Sequence, residues 1–187
     1  MFTTKGVIVG VSVIAAATVA APTAAAQPLS ARTAVDARTL NAPLDAAKTH
    51  KQKKKQKQKA LRMKRKAVVR AAVSRAGRSS YVRGAEGPYA FDCSGLTLWA
   101  YRKVTGRQLP HNSAAQKQSK ATRSVARANL KPGDLLFYGP GGSQHVALYI
   151  GKGRQVGANN PRVGVVVESI NTSYWRARYA GAGRILR

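Results

Sequence analysis

The stretch YAFDCSGLTLWAY, Tyr89–Tyr101, decides the fold because it predicts the helix that carries the only cysteine of the chain. Apolar residues recur along one face of this stretch, and a glycine that can end a helix follows it at Gly106. The residues of that face are Leu96, Trp99 and Ala100. We therefore predict a helix from Cys93 to about Val104, with Asp92 as its N-cap.

Cys93 lies where a reactive thiol is expected. In the first turn of a helix, unpaired backbone N–H groups and the positive end of the helix dipole both favour the thiolate over the thiol. Exported proteins normally pair their cysteines as disulfides, so an unpaired cysteine is either an intermolecular link or a reactive thiol. A buried structural thiol is the alternative, but the helix start favours a nucleophile.

Residues 1–26 have the layout of a signal peptide. Lys5 precedes an apolar run from Gly6 to about Ala21, and small residues precede Gln27. We expect cleavage before Gln27, which makes the mature protein secreted or wall-associated and not integral to a membrane. An uncleaved anchor is the alternative, although the apolar run is shorter than the roughly 20 residues that a membrane-spanning helix needs.

Residues 27–66 are predicted to be a disordered linker that ends in a basic arm, and residues 67–187 a catalytic domain. Residues 27–47 lack apolar periodicity, and residues 48–66 are a block of like charge. The chain has 33 Lys and Arg against 6 Asp and Glu. We expect the arm to bind anionic cell-wall polymers, while a solvated spacer without a partner is the alternative. No specific nucleic acid is expected, because no aromatic-studded basic sheet or zinc site accompanies the charge.

Helices come before strands in the folded part. Residues 66–79 carry apolar side chains at helical spacing and predict a helix ended by Gly77. Further on, short runs rich in β-branched and aromatic residues alternate with Gly, Pro and Asn and predict an antiparallel meander. These runs are DLLFYG, HVALYIG, RQVGAN, GVVVESI and AGRIL, with a two-residue hairpin turn at Lys152 and Gly153. The sequence therefore predicts an α+β domain whose antiparallel sheet is backed by the cysteine helix.

A nucleophilic cysteine needs a base, and His145 is the best candidate among the three histidines. His50 belongs to the basic arm and His111 to a loop, whereas His145 begins the strand HVALYIG. A cysteine at a helix start that faces a histidine on a strand is the thiol protease arrangement, in which the imidazole takes the thiol proton and later protonates the leaving amine.

The segments FDCSGLTLWAY, LPHNSAAQ, LKPGDLLFY and HVALYIG occur in this order and resemble the NlpC/P60 family of cell-wall peptidases. The resemblance implies a papain-like core and hydrolysis of an amide bond in peptidoglycan stem peptides, typically between γ-D-glutamate and the diamino acid. It further implies that Cys93 is the nucleophile, His145 the base and Tyr81 a hydroxyl that helps to hold the oxyanion. Asp92 and Ser94 would line the substrate groove.

The sequence departs from this family pattern at two places. The family orients its histidine with a third polar residue on the next strand, and that position is Gly157 here, which offers no side-chain acceptor. Asn159 lies two residues further on the same strand face, so we expect it to orient His145, and a water or a backbone carbonyl is the alternative. His111 replaces the usual arginine near Ser113, where the resemblance implies further substrate contacts.

Two functions follow from these predictions. The first is a secreted, monomeric cysteine endopeptidase that acts on peptidoglycan and needs neither metal nor cofactor. The second is a wall-binding protein that keeps the fold but has lost activity, because the third polar residue is absent. The presence of Cys93, His145 and Tyr81 favours the enzyme.

Overall fold

The computed structural model describes residues 37–187, with side chains from Thr49 onward. The predicted signal peptide and the first part of the predicted linker lie outside the described residues. Within residues 37–187, none of the helices combines the length and the apolar character needed to cross a membrane.

A long helix, α1, spans Ala37–Val73 and corrects the prediction of a disordered basic arm. Lysine, glutamine, arginine and alanine are good helix formers, and their propensities summed over this glycine-free stretch outweigh the repulsion between like charges. The helix runs across the predicted domain boundary at residue 67 and already contacts the folded part at Leu61 and Arg65. The boundary itself stays a prediction. Val68 and Ala72, in the last turns of α1, are fully buried.

The segment after α1 contains two short parallel strands. The first, β1, is Ser80–Tyr81, and the second, β2, is Ala90–Phe91; Tyr81 pairs with Phe91. This pairing fixes Tyr81 beside the segment that leads into the cysteine helix.

The cysteine helix is confirmed. It spans Cys93–Thr105 as α2, and the side chain of its N-cap residue Asp92 accepts a hydrogen bond from the N–H of Gly95. Gly106 ends it in the left-handed conformation, with φ of 69°. A further helix, α3, follows at Ser113–Gln118.

The remaining strands form one antiparallel sheet, and with α2 packed on it the predicted α+β class is confirmed. The strands are β3 Arg123–Val125, β4 Leu135–Tyr138, β5 His145–Gly151, β6 Arg154–Asn160, β7 Gly164–Ser169 and β8 Tyr179–Arg184. Their order across the sheet is β3-β8-β4-β5-β6-β7. The chain therefore forms a meander from β4 to β7, and β8 then returns to pair with β4. A short helix, α4, at Ser173–Arg178 precedes β8.

The β5–β6 hairpin has the predicted turn. Lys152 and Gly153 both have positive φ, 51° and 65°, as a two-residue turn that matches the strand twist requires. This turn sets the register that places Leu148 opposite Val156.

Both faces of the sheet bury side chains, and these form two separate clusters. Val146 and Leu148 of β5 join the cluster that contains Leu96 and Ala100 of α2. Ala147, from the alternate position, joins a second cluster with Tyr138 and Trp175 of α4. His145 begins β5, and its ring lies near Tyr138 and Trp175 of this second cluster.

Candidate active site

The carboxylate of Asp92 fixes the start of α2 and the loop before it. Its Oδ1 accepts hydrogen bonds from the N–H of Gly95 at 2.7 Å and the hydroxyl of Ser94 at 3.0 Å, and its Oδ2 accepts from the N–H of Gly84 at 2.8 Å. Burial alone would raise the pKa of Asp92, but these hydrogen bonds, with one from His111, hold it below its usual range. Asp92 therefore stays ionised and positions Cys93.

His111 completes this N-cap arrangement. Its Nε2 lies 3.0 Å from each Asp92 oxygen, and its Nδ1 lies 3.0 Å from Oε1 of Glu86. The residue that replaces the family's arginine thus ties the Glu86 loop to the start of the cysteine helix.

The thiol of Cys93 is free and partly buried, and it lies against the backbone of β5. Burial raises the pKa of Cys93, although a hydrogen bond from the N–H of Val146 lowers it, and the net shift is upward. The expectation of a lowered pKa from helix position alone was wrong, because desolvation of the charged form outweighs the helix N-terminus here. Cys93 is therefore mainly a neutral thiol in the free protein at neutral pH.

Tyr81 lies within electrostatic range of the thiol. Burial raises the pKa of Tyr81, and the negative charges of a Cys93 thiolate and of Asp92 raise it further. The hydroxyl therefore keeps its proton at neutral pH and can donate a hydrogen bond.

His145 is buried against aromatic rings at the N-terminal end of β5, next to the Val146 N–H that reaches the thiol. Its ring centroid lies 5.1 Å from that of Trp175 and 6.0 Å from that of Tyr138. Burial lowers the pKa of His145 to about 4. The imidazole is therefore neutral at physiological pH and able to accept a proton.

Nε2 of the His145 imidazole lies beside Gly157. A Cβ built on this glycine would lie 3.1 Å from Nε2 of His145 and 2.9 Å from Oδ1 of Asn159. Both of these atoms are buried, and among the described residues neither has a hydrogen-bond partner. The structure thus places a ring nitrogen and an amide oxygen on the same small space beside Gly157.

Glu168 decides which end of the Asn159 amide faces His145. Nδ2 of Asn159 lies 2.5 Å from Oε1 of Glu168, and an ionised carboxylate can only accept hydrogen bonds. The amide nitrogen must therefore point to Glu168 and the amide oxygen toward His145. Gln155 also donates to Oε1 of Glu168, at 3.4 Å, and accepts from Tyr138 at 2.5 Å.

The predicted substrate residues are engaged inside the protein. Ser94 and Ser113 are each 4% exposed, and their hydroxyls donate to Asp92 and to the carbonyl of Ser143. The open cleft of about 520 Å³ beside His145 is lined by other residues, including Gln144, Asn160, Thr172, Tyr174 and Arg178. Substrate contact by Asp92, Ser94 and Ser113 stays a prediction.

Sequence reasoning missed Trp175 and Glu168. Trp175 covers the imidazole from α4, a helix that was not predicted, so nothing in the sequence linked it to His145. Glu168 stood in a predicted strand. Pairing this strand with the hairpin would have placed Glu168 opposite Gln155, four residues before Asn159 on the same strand.

The model of the NlpC/P60 family matches residues 77–184, which is more than half of the chain. The chain belongs to the NlpC/P60 family, as the sequence motifs predicted.

Curated relatives match only the domain. The chain is 38% identical over 107 residues to "Probable endopeptidase p60" of Listeria monocytogenes, covering 57% of this chain and 21% of that protein. It is 38% identical over 98 residues to "Peptidoglycan endopeptidase RipA" of Mycobacterium tuberculosis, covering 52% and 20%. The chain therefore spans about a fifth of the length of these relatives.

Solved structures of the family share the fold. The peptidoglycan hydrolase RipB of Mycobacterium tuberculosis is 33% identical with a TM-score of 0.58, covering 68% of this chain and 67% of that chain. RipD of the same organism, described as a non-catalytic NlpC/p60 domain protein adapted to peptidoglycan binding, is 29% identical with a TM-score of 0.56, covering 66% and 98%. The predicted papain-like NlpC/P60 fold is confirmed. Its presence alone does not decide between hydrolysis and binding.

Proposed function

We propose that this protein is a secreted peptidoglycan endopeptidase that hydrolyses an amide bond of the stem peptide, between γ-D-glutamate and the diamino acid. The observation that carries the proposal is the free thiol of Cys93 at the start of α2, in contact with the β5 backbone where His145 begins the strand. Relatives named as peptidoglycan endopeptidases and hydrolases support the reaction class. Secretion rests on the N-terminal sequence.

The reaction starts from a neutral thiol and a neutral imidazole. As the sulfur of Cys93 attacks the carbonyl carbon, its proton passes to Nδ1 of His145, the ring nitrogen that does not face Gly157. The hydroxyl of Tyr81 donates to the oxyanion. Collapse of the intermediate breaks the C–N bond, leaves a thioester on Cys93 and gives the proton to the departing amine. Water activated by His145 then hydrolyses the thioester and restores the thiol.

This chemistry requires one tautomer of His145. Nδ1 can accept the thiol proton only if Nε2 carries the ring hydrogen, and Nε2 then needs an acceptor. The oxygen of Asn159, turned toward Nε2 by Glu168, provides that acceptor across one water molecule. Asn159 thus takes the orienting role that the family's third residue would have at Gly157.

A non-catalytic, peptidoglycan-binding role is the second candidate. The observation that favours it is Gly157, which removes the usual orienting side chain, and RipD shows that the family contains non-catalytic domains. The two candidates differ in a single measurable property, which is turnover.

Digestion of purified peptidoglycan tests the proposal. Wild-type protein should release fragments whose masses identify the cleaved bond, while Cys93→Ala and His145→Ala should release none and keep the fold. Turnover by Cys93→Ala would contradict the thiol mechanism. Binding without any fragment release by the wild type would establish the non-catalytic alternative.

Asn159→Ala tests the orienting role. We expect kcat to fall by about ten- to a hundredfold with KM little changed, the range seen when partners that orient a ligand side chain are lost. The acid limb of the pH profile should also move to lower pH, because an acceptor at Nε2 stabilises the imidazolium. Asn129→Ala, an exposed asparagine on another face, is the control and should leave both unchanged. A wild-type rate and profile for Asn159→Ala would reject the role.

A further inference from the structure

The base of α1, residues 57–66 where the helix meets the domain, carries positive charge that is mostly unpaired. Beyond Thr49 the acidic side chains are Glu86, Asp92, Asp134 and Glu168, and each is already engaged. Lysines and arginines are far more numerous, so most of those around α1 have no carboxylate to neutralise them. A concentration of like charge of this kind attracts a polyanion from a distance set by the ionic strength.

Leu61 borders three clefts where α1 meets the domain, and two of them also share Arg187. The first, of about 560 Å³, is bordered by Lys57 and Lys64 of α1 and by Arg107 from the loop after α2. The second, of about 390 Å³, is bordered by Arg123 of β3 and by Lys131. Neither cleft is lined by an acidic side chain, and Arg187 borders both.

Two ion pairs that share the buried Asp134 hold these clefts in place. Nη1 of Arg65, on α1, lies 3.1 Å from Oδ1 of Asp134, and Nη2 of Arg184, on β8, lies 2.7 Å from Oδ2. Arg65 also donates to the carbonyl of Leu186. The cations of the helix and of the domain are therefore fixed relative to one another, whereas the lysines from Lys51 to Lys55 are exposed.

The lining of the clefts indicates which kind of polyanion fits. They offer ammonium and guanidinium groups, which bind phosphate oxygens well, and arginine can do so with two parallel hydrogen bonds. They contain no aromatic ring on which a nucleobase could stack. Residues 49–60 of α1, whose side chains are exposed, are polar apart from Ala60 and offer no apolar face that could enter a lipid bilayer.

We propose that the paired clefts at the base of α1 are a binding site for a linear phosphodiester polymer without bases, of the polyol phosphate type. Lys57, Lys64 and Arg107 hold one stretch of the polymer, and Arg123 and Lys131 hold the next. This binding is independent of Cys93, and it would place the domain on an anionic polymer while the site at β5 stays free for another substrate.

Binding of poly(glycerol phosphate) to the full chain tests this site, in a Cys93→Ser background and over a series of salt concentrations. The triple variant Lys57→Gln, Lys64→Gln and Arg107→Gln should weaken binding about tenfold or more and lower the slope of log K against log salt by about one for each cation removed. Glutamine keeps the helix propensity of lysine, so α1 should stay folded. Thermal unfolding confirms that it does.

The matched control removes the same charge from another face of the same helix. Lys51→Gln, Lys55→Gln and Lys59→Gln, at exposed positions four residues apart, should weaken binding by less than about threefold, since only diffuse attraction is lost. Equal losses in the two triple variants would overturn the site. Tighter, cleft-dependent binding of duplex DNA or of anionic vesicles at equal phosphate concentration would overturn the choice of polymer. Because the readout is binding, its failure is separate from any failure of peptidoglycan cleavage.

Discussion

Gly157→Ala is the substitution that probes the site geometry most sharply. The added Cβ would lie 2.9 Å from Oδ1 of Asn159, 3.1 Å from Nε2 of His145 and 3.3 Å from Cβ of Ala147. Ordinary contacts of this kind are about 3.5 Å or longer, so all three neighbours are too close at once. Asn159 is held by Glu168 and His145 by Trp175, which leaves little room to move.

The expected cost follows from this overpacking. We expect Gly157→Ala to lower the free energy of unfolding by about 1–3 kcal/mol, as extra methyl groups in packed interiors do. The ring of His145 should also shift, so kcat should fall while KM stays nearly constant. Gly157→His should therefore reduce activity as well, although it restores a polar side chain at the family's orienting position.

Urea unfolding and steady-state kinetics on a soluble stem peptide measure both effects, and a double-mutant cycle with Asn159→Ala assigns them. Removing Oδ1 relieves the contact at 2.9 Å, so the double variant should be destabilised by less than the sum of the single variants. Wild-type stability and rate in Gly157→Ala would refute the packing argument. They would also refute the claim that Asn159 fills the space that the family's orienting side chain would occupy at position 157.

Two further predictions concern stability. The pKa of His145 falls from 6.5 to about 4 on folding. This shift corresponds to about 3 kcal/mol in the free energy of unfolding. That stability should be complete above about pH 6.5 and lost as the pH falls to about 4, because only the unfolded chain binds the proton in that window. Unfolding curves of His145→Gln should lack this pH-dependent step, and an unchanged step would contradict the prediction. Asp134→Asn should lower the free energy of unfolding by about 3–5 kcal/mol, since it leaves Arg65 and Arg184 without their buried partner. Glu86→Gln, at an exposed ion pair, should lower it by at most about 1 kcal/mol. Equal losses in urea unfolding would refute this distinction between buried and exposed ion pairs.

The parts of the fold that the sequence predicted are those with a strong local signal. The helix from Cys93 to Thr105 has an acidic N-cap, a regular apolar face and a glycine stop, and the β5–β6 hairpin has a turn that only a few residue types adopt. The short strands β1, β2 and β3 are defined by partners distant in sequence, so no local pattern revealed them. The end of α1 was predicted within residues 66–79, but its earlier part was missed because the charge block was weighed above its helix propensity.

The site was predictable to a similar degree. Cys93 and His145 follow from a helix start and a strand start, which periodicity locates. The pKa of the thiol could not be read from its position, because burial depends on how α2 packs on β5. Glu168 and Trp175 reach the imidazole only through strand pairing and the packing of α4, which are tertiary features.

The central claim is that Cys93 forms a covalent acyl-enzyme during cleavage of a stem peptide, and the intact mass of the protein during turnover measures this directly. Mixing wild-type protein with a soluble stem peptide and quenching in acid should show a mass increase equal to the acyl portion of the peptide. Proteolytic mapping should locate the increase on the fragment that contains Cys93. Release of cleaved peptide without any adduct, or an adduct that maps to another residue, would contradict the account.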